Sequence, residues 1–276
     1  MTVHRVAFQG EVGAYSEQAA LHYYGEHIEV LPTPTFRQLF QRVVSGEADA
    51  AIVPIENSLA GSVHQNYDLL LEFKLPIVGE LFLRIRHHLM VLPGVKAENI
   101  RRIISHPQAL EQCRDYLDRW KEVEIIPFYD TAGSAKRVRT EQLRDTAAIA
   151  SKQAAIEYNL DILDSNIESN HQNFTRFLIL EKEARPPEKD GKTSIVFATR
   201  DIPGALFKSL AVFALRDINL QKLESRPLLG KPFQYLFYLD FEGSIRQERC
   251  RNALKHLEEI THFVQVLGSY PKGKFI

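Results

Sequence analysis

Five consecutive residues, Asn173-Phe174-Thr175-Arg176-Phe177, gather a carboxamide, a hydroxyl and a guanidinium between two aromatic rings. A fixed cation beside a neutral proton donor, walled by rings, suits a small acidic ligand kept from bulk water. Leu178-Ile179-Leu180 continue as an apolar strand, so the run also fits a strand whose polar members alternate toward solvent. Similar polar clusters stand at other strand ends: Gly10-Glu11-Val12-Gly13-Ala14-Tyr15-Ser16, Pro54-Ile55-Glu56-Asn57-Ser58, Ser105-His106-Pro107-Gln108 and Asp130-Thr131-Ala132-Gly133-Ser134. Helix capping accounts for Ser16, Ser134 and Ser151. It accounts less well for Glu56-Asn57-Ser58, where three polar side chains crowd one turn, or for Gln112, seven residues past Ser105. A carboxamide there reaches a ligand seated over a helix N-terminus.

Several other chemistries find no support. Gly10 and Gly13 lack the third glycine of a dinucleotide loop, and no Lys-Ser or Lys-Thr follows for a phosphate loop. Ser58 and Ser62 are not framed by glycines on both sides, as a nucleophile elbow requires. His106, just before Pro107, reads as a cap or core hydrogen-bonding residue rather than a general base. His87-His88, His106 and His171 have no repeating metal-ligand spacing, so neither metal nor cofactor is expected. With 34 basic and 35 acidic residues the formal net charge is -1, which asks for neither nucleic acid nor an anionic membrane. No apolar run approaches the roughly 20 residues of a membrane span. The start shows no signal-peptide core, and Cys113 and Cys250 fall on helices of different predicted domains. A cytoplasmic, reduced protein is expected.

These candidates need a frame. Strands and helices alternate to about residue 180: strands at Val6-Ala7-Phe8, Ala50 to Val53, Ile77 to Leu92 (broken at Arg86-His87-His88), Arg102 to Ile104, Ile125-Ile126 and Ala147 to Ala150. Between them Thr35 and Gln38 form a capping box ahead of a helix striped by Phe36, Leu39, Phe40, Val43 and Val44. Pro107 opens a helix striped by Leu110, Cys113, Leu117 and Trp120. Such alternation predicts an α/β fold with a mostly parallel sheet. Glu181 to Lys192 is charged and contains Pro186-Pro187, a linker. Beyond it the order βαββαβ, with strands separated by Leu229-Gly230-Lys231, predicts a ferredoxin-like module.

At these residues the chain resembles the prephenate dehydratase family. The motifs read GEVGAYS (10–16), VPIENSLAGSV (53–63), SHPQALEQC (105–113), DTAGSA (130–135) and NFTRF (173–177). The C-terminal part is similar to the ACT regulatory module, with IPGAL (202–206) and INLQKLESRP (218–227). The resemblance implies a two-lobed catalytic domain over 1–182, like type II solute-binding proteins, with lobe one about 1–75 and 165–182 and lobe two about 76–164. The lobes would cross near Glu72 to Gly79 and again near Asp164 to Asn170. A linker at 183–192 and an ACT domain at 193–276 would follow.

It also implies loss of carbon dioxide and water from prephenate to give phenylpyruvate, in L-phenylalanine biosynthesis. Thr175 would assist the departing hydroxide and Arg176 would clamp the carboxylate that stays, with Phe177 walling the site. Asn57, Ser58, Ser105, Gln112 and Thr131 would be neutral contacts, which avoid stabilising the ring carboxylate that must leave. Glu56 would either repel that carboxylate or orient Arg176. In the ACT module, Gly204, Ala205, Leu206, Asn219, Leu220, Glu224, Ser225 and Arg226 would receive L-phenylalanine as feedback effector where two modules meet, in a homodimer or homotetramer. Arogenate dehydratase and a non-catalytic amino-acid sensor are the competing readings. A fused chorismate mutase is not expected, since the strand pattern starts at once.

Overall fold

The computed structural model describes residues 4–228 and 234–276; the opening Met1-Thr2-Val3, the turn expected at Leu229-Gly230-Lys231 and Phe233 lie outside them. The chain divides into a first unit, residues 1–68, 81–177 and 275–276, and a second, residues 69–80 and 178–274. This differs from a division at residue 182. The cut falls after Phe177, and residues 69–80 join the C-terminal segment.

The first unit opens with β1 (His4–Gln9), α1 (Tyr15–Tyr24), β2 (Ile28–Thr33), α2 (Phe36–Ser45), β3 (Ala50–Asn57), the short β4 (Gly61–Ser62) and the start of α3 (His64–Phe73). Val6, Ala7 and Phe8 are fully buried, and β1 pairs in parallel with β2 and β3, Val6 lying opposite Val30 and Ala50. Thr35 caps α2 as its spacing predicts, accepting from Gln38 N at 3.3 Å. After β5 (Ile77–Arg84) the chain enters a second sheet at β6 (His88–Val91).

That sheet continues with β7 (Arg102–Ser105), α4 (Pro107–Gln112), α5 (Arg114–Leu117), β8 (Glu124–Pro127), α6 (Thr131–Thr140), β9 (Thr146–Ala150), α7 (Lys152–Glu157) and β10 (Asp161–Ser165). Its strand order is β10-β6-β9-β7-β8. β7 runs parallel to β8 and β9, whereas β6 is antiparallel to both β9 and β10. The chain returns through residues 166–173 to β11 (Phe174–Glu181). The outward crossing therefore lies at residues 85–87, later than the expected Glu72 to Gly79.

One expected helix is two. The stripe from Leu110 to Trp120 is interrupted at Cys113, with φ −107° and ψ 18°. The Gln112 carbonyl, which a continuous helix would pair with Tyr116, accepts from Ser169 N at 2.8 Å instead. Gln112 thus ends α4 with its side chain at a helix break.

The second unit holds β12 (Gly191–Thr199), α8 (Ala205–Ala214), β13 (Leu220–Pro227), β14 (Tyr235–Glu242), α9 (Glu248–Ile260) and β15 (Thr261–Pro271), the expected ferredoxin-like βαββαβ order. β12 lies between β14 and β15 and pairs antiparallel with each. Phe197, Phe213, Phe241, Cys250 and Leu257 form its fully buried core under α8 and α9. Residues 69–80 belong here because Lys192 Nζ pairs with Glu80 Oε1 at 2.6 Å, both buried, and Gly268 pairs with Ile77. An ion pair in that setting is held only by close geometry and added hydrogen bonds, such as Gly273 N to Glu80 Oε1 at 3.1 Å.

Candidate active site

The end of β3 and the start of β11 are fastened by one serine. Ser58 N donates to Phe174 O at 2.8 Å, and the Ser58 Oγ donates to Gln172 O at 2.7 Å while accepting from Phe174 N at 2.9 Å. Asn57 follows the same logic. Its Oδ1 accepts from Leu59 N at 3.0 Å and Ala60 N at 2.9 Å, an Asx turn that leaves Nδ2 facing β11. Nδ2 donates to Asn173 Oδ1 at 2.8 Å and to Thr175 Oγ1 at 3.0 Å. Asn173 Nδ2 in turn donates to Gln112 Oε1 at 2.9 Å.

This network lies beside a cavity of about 440 Å³ within the first unit. Asn57, Gln112, Thr131, Thr175 and Phe177 line it, as do Tyr15, Ser16, His87, His106, Tyr129 and Asp130. Its wall carries no lysine or arginine among the described residues. The starts of α1, α4 and α6 contribute lining residues, so an anion is met by helix N-termini and neutral donors rather than by fixed cations.

The loop before α1 has its shape for a steric reason. Gly13 sits at φ +90°, and a β-carbon there would stand 2.7 Å from the Ala154 α-carbon. Ser151 donates to Gly13 O at 2.6 Å and Tyr158 to Val12 O at 2.8 Å, which hold the loop against α7. Asp130 caps α6 by accepting from Gly133 N at 2.7 Å. Burial, reinforced by the charge of Glu11, pushes the Asp130 carboxyl above the usual range. Tyr129 donates to Glu11 Oε1 at 2.9 Å and its phenol is pushed up to about 12, mainly by burial. His106 accepts from Gln108 N at 3.2 Å, the capping role its place before Pro107 predicts, and burial pushes its imidazole down.

Not every sequence candidate arrives at the cavity. Asn173, Thr175 and Phe177 share one face of the chain entering β11, and strand alternation turns Arg176 to the other. Arg176 is buried, 7% exposed, and is not in the cavity wall, nor is Glu56, which alternates with Asn57 on β3. Ser105 is fully buried and spends its hydroxyl on Ile149 O at 2.6 Å, fastening β7 to β9. Ser58 is the clasp described above. In the second unit Gly204, Ala205 and Leu206 line a separate cavity of about 760 Å³. Asn219, Leu220, Glu224, Ser225 and Arg226 do not line it; Leu220 to Arg226 lie on β13, at one end of the sheet path. Lys222 Nζ approaches Glu224 Oε2 at 3.6 Å.

Residue spacing gave no role to Tyr15, His87 or Asp130. His87-His88 carried a metal question only, yet His87 Nε2 lies 2.9 Å from Gln112 Oε1. Asn173 was legible in principle, because it stands two residues before Thr175 and so on the same strand face.

Comparison with known proteins places this geometry in a family. The family model for prephenate dehydratase matches residues 6–185. "Arogenate dehydratase/prephenate dehydratase 2, chloroplastic" of Arabidopsis thaliana is 50% identical over 279 residues, covering 97% of this chain and 72% of that protein. A solved prephenate dehydratase of Arthrobacter aurescens in complex with L-Phe is 34% identical with a TM-score of 0.89, covering 97% of this chain and 89% of that one. Another solved chain, described as "GqqA- a novel type of quorum quenching acylases", is 36% identical with a TM-score of 0.90 and covers 98% of each.

Proposed function

Because this chain belongs to the prephenate dehydratase family, we propose that it converts prephenate to phenylpyruvate, with loss of carbon dioxide and water, in L-phenylalanine biosynthesis. The carrying observation is the Thr175 hydroxyl. It accepts from Asn57 Nδ2 at 3.0 Å, so its own proton is left for a ligand in the cavity that Thr175 lines. A donor fixed on the leaving hydroxyl lowers the barrier because negative charge grows there in the transition state. The ring C–O bond breaks as the ring C–CO₂⁻ pair moves in to complete aromatisation, and the departing hydroxide takes a proton to leave as water. A threonine hydroxyl is a weak acid, so it serves as hydrogen-bond donor or relay while water delivers the proton.

The ring carboxylate leaves as neutral carbon dioxide, and a wall of neutral donors suits that step. Gln112 and Thr131 bind the charge without the ground-state stabilisation a lysine would add, while Asn57 spends both N–H groups on Asn173 and Thr175. The side-chain carboxylate is met by the starts of α1 and α6. Arg176 then acts from behind β11, holding the strand and lending positive potential, with Glu56 in a similar supporting place. Ser105 is structural in this reading.

Arogenate has equal standing as substrate, since the Arabidopsis relative carries both names. Acyl transfer, named for one structural relative, needs a nucleophile paired with a base. Here the Thr175 hydroxyl pairs with a carboxamide, while His87 is engaged with Gln112 and Tyr15 and His106 with a backbone amide. The second unit is assigned as an ACT module that binds L-phenylalanine near Gly204-Ala205-Leu206, in at least a dimer, and favours one state of the enzyme by binding it more tightly. No described helix is long and apolar enough to cross a membrane; a cytoplasmic setting is part of the proposal.

Steady-state kinetics on prephenate and arogenate, with and without L-phenylalanine, tests all of this. Ultraviolet detection of phenylpyruvate at neutral pH without added metal is expected, together with inhibition by L-phenylalanine. Heat of binding from either substrate with no product would favour the amino-acid sensor.

A further inference from the structure

The hydrogen bonds around Gln112 run in one direction, and a fixed point sets it. Asn57 Oδ1 accepts two backbone N–H groups, from Leu59 at 3.0 Å and Ala60 at 2.9 Å. A backbone N–H only donates, so the oxygen end of this carboxamide is identified and its nitrogen must face β11. That nitrogen donates to Asn173 Oδ1 at 2.8 Å, which makes Asn173 Nδ2 the donor to Gln112 Oε1 at 2.9 Å. Gln112 Oε1 is then an acceptor, and the imidazole nitrogen 2.9 Å from it, His87 Nε2, has to carry a proton. At the far side of the ring His87 Nδ1 lies 3.0 Å from the Tyr15 oxygen, whose single proton also has Arg86 O within reach, 2.6 Å away.

The surroundings hold this ring still. His87 is 2% exposed, its backbone N–H donates to Glu168 Oε2 at 3.0 Å, and Tyr15 stands edge-on with ring centroids 5.7 Å apart. Burial pushes the His87 imidazole down and the Tyr15 phenol up, so both are neutral where the protein works. A neutral imidazole has one N–H, and the Gln112 side of the network requires it at Nε2, which leaves Nδ1 bare beside the Tyr15 oxygen.

We propose that His87 is a positioning residue: as its neutral Nε2–H tautomer, packed edge-on by Tyr15, it holds the Gln112 carboxamide with the nitrogen turned to the cavity. Two donors, from His87 and Asn173, occupy Gln112 Oε1. Gln112 Nε2 directs one N–H at Asn57 Oδ1, 3.5 Å away, and its other N–H is left to donate to a ligand. Without His87 one of the two donors that fix Oε1 is gone, and only Asn173 and the long contact to Asn57 still tell the ends of the amide apart. A flipped amide would then turn oxygen lone pairs toward an incoming carboxylate, exchanging attraction for repulsion. The consequence for catalysis rests on the elimination of an anionic substrate proposed above, whereas the tautomer does not.

Nitrogen NMR of selectively labelled protein reads the tautomer directly. A protonated Nε2 and bare Nδ1 are expected for His87 at neutral pH; the reverse pattern, or a charged ring, would overturn the proposal. Kinetics of His87→Gln and His87→Asn supply the second readout. A glutamine amide nitrogen reaches where Nε2 stands, while an asparagine nitrogen reaches only the Nδ1 position. His87→Gln is expected within about threefold of the parent in kcat/KM, and His87→Asn lower by about tenfold or more. Both variants lose the same ring packing, so a merely structural role predicts equal losses in both, and equal losses would overturn the assignment. Absence of turnover in the parent protein would sink the elimination reading alone, and the NMR result would still decide the tautomer.

Discussion

Replacing Thr175 by valine separates catalysis from stability more cleanly than any other change in this site. Valine keeps the branched shape and deletes only the hydroxyl of a half-buried residue. The folding cost is small, because Asn57 Nδ2 loses its 3.0 Å bond to Thr175 but keeps its 2.8 Å bond to Asn173. Losing one such bond without orphaning its partner costs about 1 kcal/mol. The catalytic cost is larger. Removing one donor aimed at developing negative charge lowers turnover about 10²–10³-fold, or about 2.7–4 kcal/mol in the barrier. Steady-state kinetics with prephenate, alongside thermal melts, should therefore show Thr175→Val folded and nearly as stable but with kcat reduced by that factor. Thr175→Ser, which restores the hydroxyl, should recover most of it. Asn57→Asp provides a further check, since its second oxygen would accept the Thr175 proton and turn it away from the ligand. If Asn57 acts through Thr175, Asn57→Asp should cost much less in the Thr175→Val background than alone. Equal activity of the valine and serine variants, or fully multiplicative losses in the double variant, would refute the assigned role.

Two further perturbations probe the walls. Arg176→Lys is expected to lower stability by about 1–3 kcal/mol while leaving KM within about threefold, because Arg176 is buried away from the cavity wall; a large rise in KM with an unchanged melting temperature would restore the bidentate clamp. Asp130→Asn keeps the cap to Gly133 N but cannot ionise. The folded-state carboxyl of Asp130 is raised, chiefly by burial, so its contribution is full below the ordinary aspartate range and is lost as pH rises through the raised value. The asparagine variant should thus melt higher than the parent at neutral pH and match it in acid, and parallel melting curves at all pH values would contradict this.

Much of the frame was legible because it depends on local chemistry. The capping threonine at Thr35 and the proline opening α4 at Pro107 each work within a few residues. The second unit was legible as well, since its order of strands and helices is written in hydrophobic period alone. The helix break at Cys113 was not, because it depends on Ser169 N, far along the chain, taking the Gln112 carbonyl. Nor was the parity of β11. Phe177, Leu178, Ile179 and Leu180 are all buried, so both faces of the strand are apolar and alternation carries no sign of which one meets the cavity.

Composition and motif order alone determined that this chain carries a site of hydroxyls and carboxamides around Asn173 to Phe177, on an α/β frame followed by a ferredoxin-like module. Tertiary structure decided which of those groups meet. It faced Thr175 to the cavity and Arg176 away, assigned Ser105 to a strand carbonyl, and joined Tyr15, His87 and Gln112 into one hydrogen-bonded line. The physical reason is reach: capping and hydrophobic period act over one or two turns of chain, whereas the direction of a hydrogen bond inside a cavity is set by partners that only folding brings within 3 Å.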